Sequence, residues 1–225
     1  MPEVPDRGPA RPAAVLFDMD GTLLDSEKIW DVALHELARE LGGTLSRAAR
    51  EAMVGSSMGR SVALLHEDLG VEADPARSAD FLSTRTTELF RTDLEWRPGA
   101  RELLADVHAA GVPAALVTST HRALTEIALD TLGRGFFTAT VCGDEVARPK
   151  PAGDPYLRAA ELLGVGVTGC VAIEDSPLGV TSAEAAGCVV LAVPSEVPIA
   201  PAPGRAVRDS LVGLSVADLA ALPPA

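Results

Sequence analysis

Five short apolar runs limit what this chain can fold into: AAVLF (13–17), PAALVT (113–118), ATVC (139–142), CVAI (170–173) and CVVLAV (188–193). Each is nearly continuous rather than alternating. A strand built from such a run must be covered on both faces, which is the condition of a parallel sheet. Helical patterns separate the later runs, at about 99–110, 121–132, 153–163 and 176–187. Strand alternating with helix predicts an α/β fold, a Rossmann-like doubly wound parallel sheet. The 225 residues, 47% of them apolar, suffice for one such domain carrying a sizeable insertion.

The insertion shows as a break in the rhythm. Nearly a hundred residues separate the first run from the second, far more than a crossover needs. They read as helix at about 27–41, 46–54, 58–69 and 75–92, punctuated by Gly42-Gly43, Gly55 and Gly70, with no strand. The pattern predicts a helical domain over 27–95, set into a core made of 13–26 and 96–225. WRPGA (96–100) marks the return, with Pro98-Gly99 turning into a core helix. The start, MPEVPDRGPARPA, is polar, Pro-rich and without an apolar signal core, so residues 1–12 read as a disordered arm. VPSEVPIAPAPGR reads as a Pro-rich loop and SVADLAAL (215–222) as a closing helix.

Charge excludes some partners. With 19 basic and 32 acidic residues the formal charge is −13. Such a chain repels phosphate backbones and anionic lipid, so neither nucleic acid nor membrane is an expected partner. No apolar run nears the ~18 residues of a membrane span. Cys142, Cys170 and Cys188 are odd in number, lack metal-type spacing and sit beside apolar runs. They are expected to be buried, reduced thiols of a cytoplasmic protein.

The ends of the runs carry the chemistry. The first run ends in Asp18 and, one residue on, Asp20; the second in Thr118 and Ser119; the fourth in Glu174 and Asp175. With strand order 3-2-1-4-5 the first strand lies between the second and the fourth. All six residues then meet at the carboxyl edge, where doubly wound sheets bind ligands. Two carboxylates ~4 Å apart repel by ~4 kcal/mol at an effective dielectric near 20. Three or four together need a cation or protons, and an all-oxygen donor set suits Mg²⁺. Asp175 also fits a helix start, because EDSPLG places Ser176 as a cap and Pro177 in the first turn.

FDMDGTLLDSE (17–27), LVTST (116–120), RPKPAGDPYL (148–157) and VAIEDSPLGVTSAEAAG (171–187) resemble, in order, the four motifs of the haloacid dehalogenase superfamily. The branch they resemble is that of its phosphatases and phosphomutases. The likeness covers 13–193, and the insertion is similar to that branch's helical cap. It implies that Asp18 is a nucleophile forming an aspartyl-phosphate. It implies that Asp20 protonates the leaving oxygen and then activates water, its backbone carbonyl facing the metal. Thr118 and the backbone near Ser119 would bind phosphoryl oxygens, and Lys150 would offset the charge of Asp18 and phosphate. Thr118 could also cap the following helix, and the two roles coexist. Asp18, Asp20 and Asp175 would hold Mg²⁺, with Glu174 joining directly or through water. Gly153 departs from the proline of many relatives, with little expected consequence.

Substrate contacts are expected from Glu27, Trp30, Ser56, Ser57 and Arg60 in the insertion and from His121 after the second motif. Trp30 could equally be core packing, and the others solvated surface. A β-phosphoglucomutase has a histidine in its first cap helix where this sequence has Trp30. Its cap arginine falls near Met58, with Arg60 close. The missing histidine favours hydrolysis over transfer, and Asp20 argues against dehalogenation, which needs no acid for an alcohol leaving group. The resemblance therefore implies Mg²⁺-dependent hydrolysis of small phosphomonoesters, sugar phosphates above all. A phosphosugar mutase is the alternative, and a non-catalytic binding domain a third reading. The expected partner is a small phosphorylated metabolite, and the chain itself is expected to be a monomer or weak dimer.

Overall fold

The computed structural model describes residues 11–223. Residues 1–10 of the expected arm lie outside that range, and Arg11 is tied down, its Nη1 donating to the Ala110 carbonyl at 2.7 Å. The described residues begin with β1 (Ala14–Phe17) and then run through four helices: α1 (Glu27–Glu40), α2 (Arg47–Met53), α3 (Met58–Leu69) and α4 (Pro75–Phe90). Then follow α5 (Ala100–Ala109), β2 (Ala114–Val117), α6 (Arg122–Leu132), β3 (Ala139–Val141) and α7 (Asp154–Leu163). Next come β4 (Cys170–Glu174), α8 (Pro177–Ala186), β5 (Val189–Ala192), β6 (Arg205–Val207) and α9 (Val216–Ala220). All named strands pair in parallel, in the order β3-β2-β1-β4-β5-β6. The expected order is present, with one strand added at the edge. That strand, β6, starts at the last residue of the stretch read as Pro-rich loop and runs past it; it is three half-buried residues long and too short to show as a run.

Burial explains the continuous runs. Along β1, Val15 and Phe17 pack with α5 and α6 side chains such as Leu104 and Leu129, whereas Ala14 and Leu16 pack with Tyr156 and Ala159 of α7 and Val180 of α8. Alternate residues thus serve opposite faces, and both faces are dry. The inserted helices close over a separate cluster that includes Leu34, Leu37, Met53, Val62, Leu65 and Leu82. Their two connections to the sheet run side by side. Leu24 bridges Trp96, Asp25 N donates to the Glu95 carbonyl at 2.8 Å, and Arg97 N donates to the Leu23 carbonyl at 2.8 Å. Gly99, at φ +80, makes the turn into α5.

Cys142, Cys170 and Cys188 are buried free thiols. Burial pushes the first two up to about 11 and Cys188 up to about 12. Among the described residues no helix is long and apolar enough to cross a membrane.

Candidate active site

The strand order brings the ends of β1, β2 and β4 together, and Lys150 ties them to one another. It arrives on the loop before α7 and is 4% exposed. Its Nζ donates to Asp18 Oδ1 at 2.6 Å, Glu174 Oε1 at 2.6 Å and the Val117 carbonyl at 3.0 Å. An ammonium has three donors, and all three are used. Burial would depress Lys150, but Asp18 and Glu174 outweigh it and hold its pKa above the usual lysine value. Glu174 Oε1 also accepts from the Tyr156 hydroxyl at 2.5 Å. Gly179 leaves room for Glu174, since a Cβ there would stand 1.9 Å from Oε2.

Asp20 receives four donors. Oδ1 accepts from Ser26 Oγ at 2.7 Å and Trp30 Nε1 at 3.2 Å. Oδ2 accepts from Thr120 Oγ1 at 2.8 Å and Thr118 Oγ1 at 3.0 Å. Thr118 and Trp30, expected at phosphate and substrate, are therefore found gripping Asp20. Ser119 donates its hydroxyl to the Gly55 carbonyl of the α2–α3 loop at 3.1 Å. Asp175 accepts from Thr22 at 3.3 Å and from Ser195. A Cβ at Gly21 would lie 2.1 Å from Asp175 Oδ2, and Gly21 has φ +80, so the turn after Asp20 requires glycine.

Between the inserted helices and the sheet edge lies a cavity of about 170 Å³. Asp18, Asp20, Glu27, Trp30, Ser56 and His121 line it. His121 is exposed, at the position preceding α6. Arg60 does not reach the cavity and is exposed. Ser61, Val62 and Leu65 form the buried face of α3, and position 60 is rotated off it. Ser57, just before α3, does not line the cavity either. The arginine that does is Arg50 of α2, buried and paired with Glu27 at 2.8 Å. Burial outweighs this partner and pushes Glu27 up to about 7. Sequence reasoning passed over Arg50, Thr120, Ser26 and Tyr156. Ser26, Thr120 and Tyr156 lie within the first, second and third motifs, which was their local signal, whereas Arg50 had none.

Asp18, Glu174 and Asp175 each offer an oxygen within 4.8 Å of the other two. Burial, then the neighbouring carboxylates, push Asp175 well above the usual range; Asp18 is raised too, burial outweighing Lys150. Asp18 Oδ2 is buried with no hydrogen-bond partner. An orphaned carboxylate oxygen among hard donors fits a divalent cation. Glu174 fits it less well, because Lys150 and Tyr156 already share its Oε1.

A doubly wound sheet with a buried carboxylate–lysine cluster at its carboxyl edge, roofed by inserted helices, defines a class of α/β enzyme. Comparison with known proteins supplies the family. Residues 15–193 match the family described as haloacid dehalogenase-like hydrolase, and the chain belongs to that family, in its phosphatase branch. It is 34% identical over 194 residues to protein CbbY of Rhodobacter capsulatus, covering 81% of this chain and 86% of that protein. Hexitol phosphatase A of Escherichia coli is 33% identical over 186 residues, with 81% and 84% covered. The crystal structure of CbbY from Rhodobacter sphaeroides in complex with phosphate superposes with a TM-score of 0.78 at 26% identity, covering 90% of this chain and 96% of that one.

Proposed function

We propose that this protein hydrolyses small phosphomonoesters, sugar phosphates in particular, with Mg²⁺ and through an aspartyl-phosphate. The observation that carries this reading is Lys150 bridging Asp18 and Glu174 while Asp18 keeps one buried oxygen without a partner. In the first step an Asp18 oxygen bonds to phosphorus as the ester P–O bond breaks, and the leaving oxygen takes a proton from Asp20. In the second, Asp20 removes a proton from water, whose oxygen attacks phosphorus; inorganic phosphate leaves and Asp18 is restored. Lys150 offsets the charge that gathers on Asp18 and the phosphoryl oxygens. The backbone near Ser119 and the His121 side chain would meet the phosphoryl group, whereas the Thr118 hydroxyl, expected there, donates to Asp20. Asp18, Asp175 and the backbone carbonyl of Asp20 would hold Mg²⁺, with Glu174 directly or through water. When bound, the ion offsets the charge of the phosphate.

The four donors around Asp20 suit both of its protonation states. The hydroxyls of Ser26, Thr118 and Thr120 can turn from donating to accepting. The Trp30 indole only donates, so it holds Oδ1 as an acceptor and leaves the exchanged proton to Oδ2. The inserted helices act as a cap that excludes water and selects the substrate. The buried free thiols support a cytoplasmic protein, and the net negative charge a small metabolite rather than a nucleic acid as its partner; the protein itself is proposed to be a monomer or weak dimer.

Asp18→Asn tests the mechanism. We expect it to abolish phosphate release from p-nitrophenyl phosphate and from sugar phosphates, and to abolish the covalent phosphoenzyme seen by intact-mass measurement. Full activity in that variant rejects the nucleophile. Conversion of β-glucose 1-phosphate to glucose 6-phosphate, dependent on a bisphosphate activator, would replace hydrolysis with the mutase reading.

A further inference from the structure

We propose that the cavity selects phosphomonoesters whose leaving group carries no second anionic charge, because Arg50, the basic side chain it offers away from the reacting phosphate, is already matched by three carboxylates. The inference rests on the phosphatase reading and names its substrate class.

Arg50 is buried and lines the cavity. Its Nη2 donates to Glu27 Oε2 at 2.8 Å and to the Glu27 carbonyl at 3.2 Å. Its Nε donates to Asp31 Oδ1 at 3.2 Å, and Nη2 also lies 3.2 Å from Glu196 Oε2. Glu27 and Asp31 come from α1, whereas Glu196 comes from the loop after β5; of the three, Glu27 lines the cavity itself. One guanidinium thus faces acids from both parts of the molecule. A distal phosphate or carboxylate would have to displace one of them and then lie against the others, and like charges at such distances select against a ligand.

No other cation takes the role. Among the described residues, the other basic side chain lining the cavity is His121, beside the second motif at the reacting end. Lys150 is committed to Asp18 and Glu174. Apart from these and the lining carboxylates, Asp144 among them, the wall is neutral, with Leu34, Met53 and Met58 beside the hydroxyls of Ser56, Ser61 and Ser83. Such a wall accepts a hydroxylated carbon skeleton.

The test uses matched pairs that differ by one phosphoryl group: fructose 1-phosphate with fructose 1,6-bisphosphate, and glucose 6-phosphate with glucose 1,6-bisphosphate. Each is measured as a competitive inhibitor of p-nitrophenyl phosphate hydrolysis, so the result does not depend on which member is turned over. The bisphosphate is expected to bind at least about tenfold more weakly. Glu196→Gln, which removes one charge at a partly exposed loop, is expected to narrow that ratio by about threefold or more, whatever it does to either constant alone. Equal or tighter binding of the bisphosphates, or a ratio unchanged in Glu196→Gln, overturns the proposal while leaving the phosphatase reading in place. Absence of any hydrolysis by the wild-type enzyme overturns both.

Discussion

At the scale of single residues, the site is a problem of buried charge. Asp18, Lys150 and Glu174 lie in a region where each alone would cost several kcal/mol, and they are tolerable because each answers another. Glu27 is the case where the balance is incomplete, since burial carries it from 4.5 to about 7 despite Arg50. A carboxyl whose folded pKa lies above its unfolded value binds its proton more tightly in the fold. Its stabilising share is present below the unfolded value and is lost as pH rises through the folded one. Glu27→Gln keeps the shape without the titration. It should gain on the wild type between about pH 5 and 8, by up to about 3 kcal/mol. Thermal melts over a pH series check this, and parallel curves for the two proteins would refute it. The motif residues Asp18, Asp20, Lys150, Glu174 and Asp175 were legible because each follows a run or sits in a patterned stretch. Arg50 and Glu196 were not, because they are 146 positions apart and meet only when the insertion folds back.

At the scale of elements, the α2–α3 loop decides how the insertion sits on the sheet. Gly55 has φ +71, its carbonyl accepts from Ser119, and a Cβ there would lie 2.3 Å from Ser176 Oγ. Ser176 in turn caps α8, accepting from Gly179 N at 3.1 Å. One glycine therefore lets the insertion touch the second and fourth motifs at once. Gly55→Ala adds a Cβ at positive φ, at about 1–2 kcal/mol, and pushes the loop off Ser176. We expect kcat/KM to fall about tenfold or more, chiefly through KM. The melting temperature should drop by only about 2–4 °C per kcal/mol. Initial rates and a melt on one preparation check both, and an unchanged KM would show that the contact is dispensable. Helix positions were legible from glycine and proline punctuation, as at α8, where Pro177 opens the helix and Gly187, at φ +91, ends it. The strand β6 was not, because its place depends on the β5 edge that it covers.

At the scale of the whole molecule, a metal held by the acidic cluster would link binding to stability. Asp18, Glu174 and Asp175 share one buried corner with a single lysine, so a divalent cation that binds the fold and not the unfolded chain stabilises it by mass action. Mg²⁺ at about a hundred times its Kd should add about 2.7 kcal/mol. EDTA should remove that gain together with activity, and calorimetry with and without Mg²⁺ measures it. A melting temperature indifferent to Mg²⁺ would remove the cluster as a metal site. The amino-acid sequence by itself determined the parallel sheet, the inserted helices and the polar residues gathered at the sheet's carboxyl edge, because these are written in local pattern: continuous apolar runs, 3.6-residue periodicity, and polar residues at strand ends. Only the tertiary structure decided that Trp30 holds Asp20, that Arg50 rather than Arg60 reaches the cavity, and that Glu27, Asp31 and Glu196 surround Arg50. Those facts follow from the rotation of each helix and its seat on the sheet, which are set by packing between segments far apart in the chain.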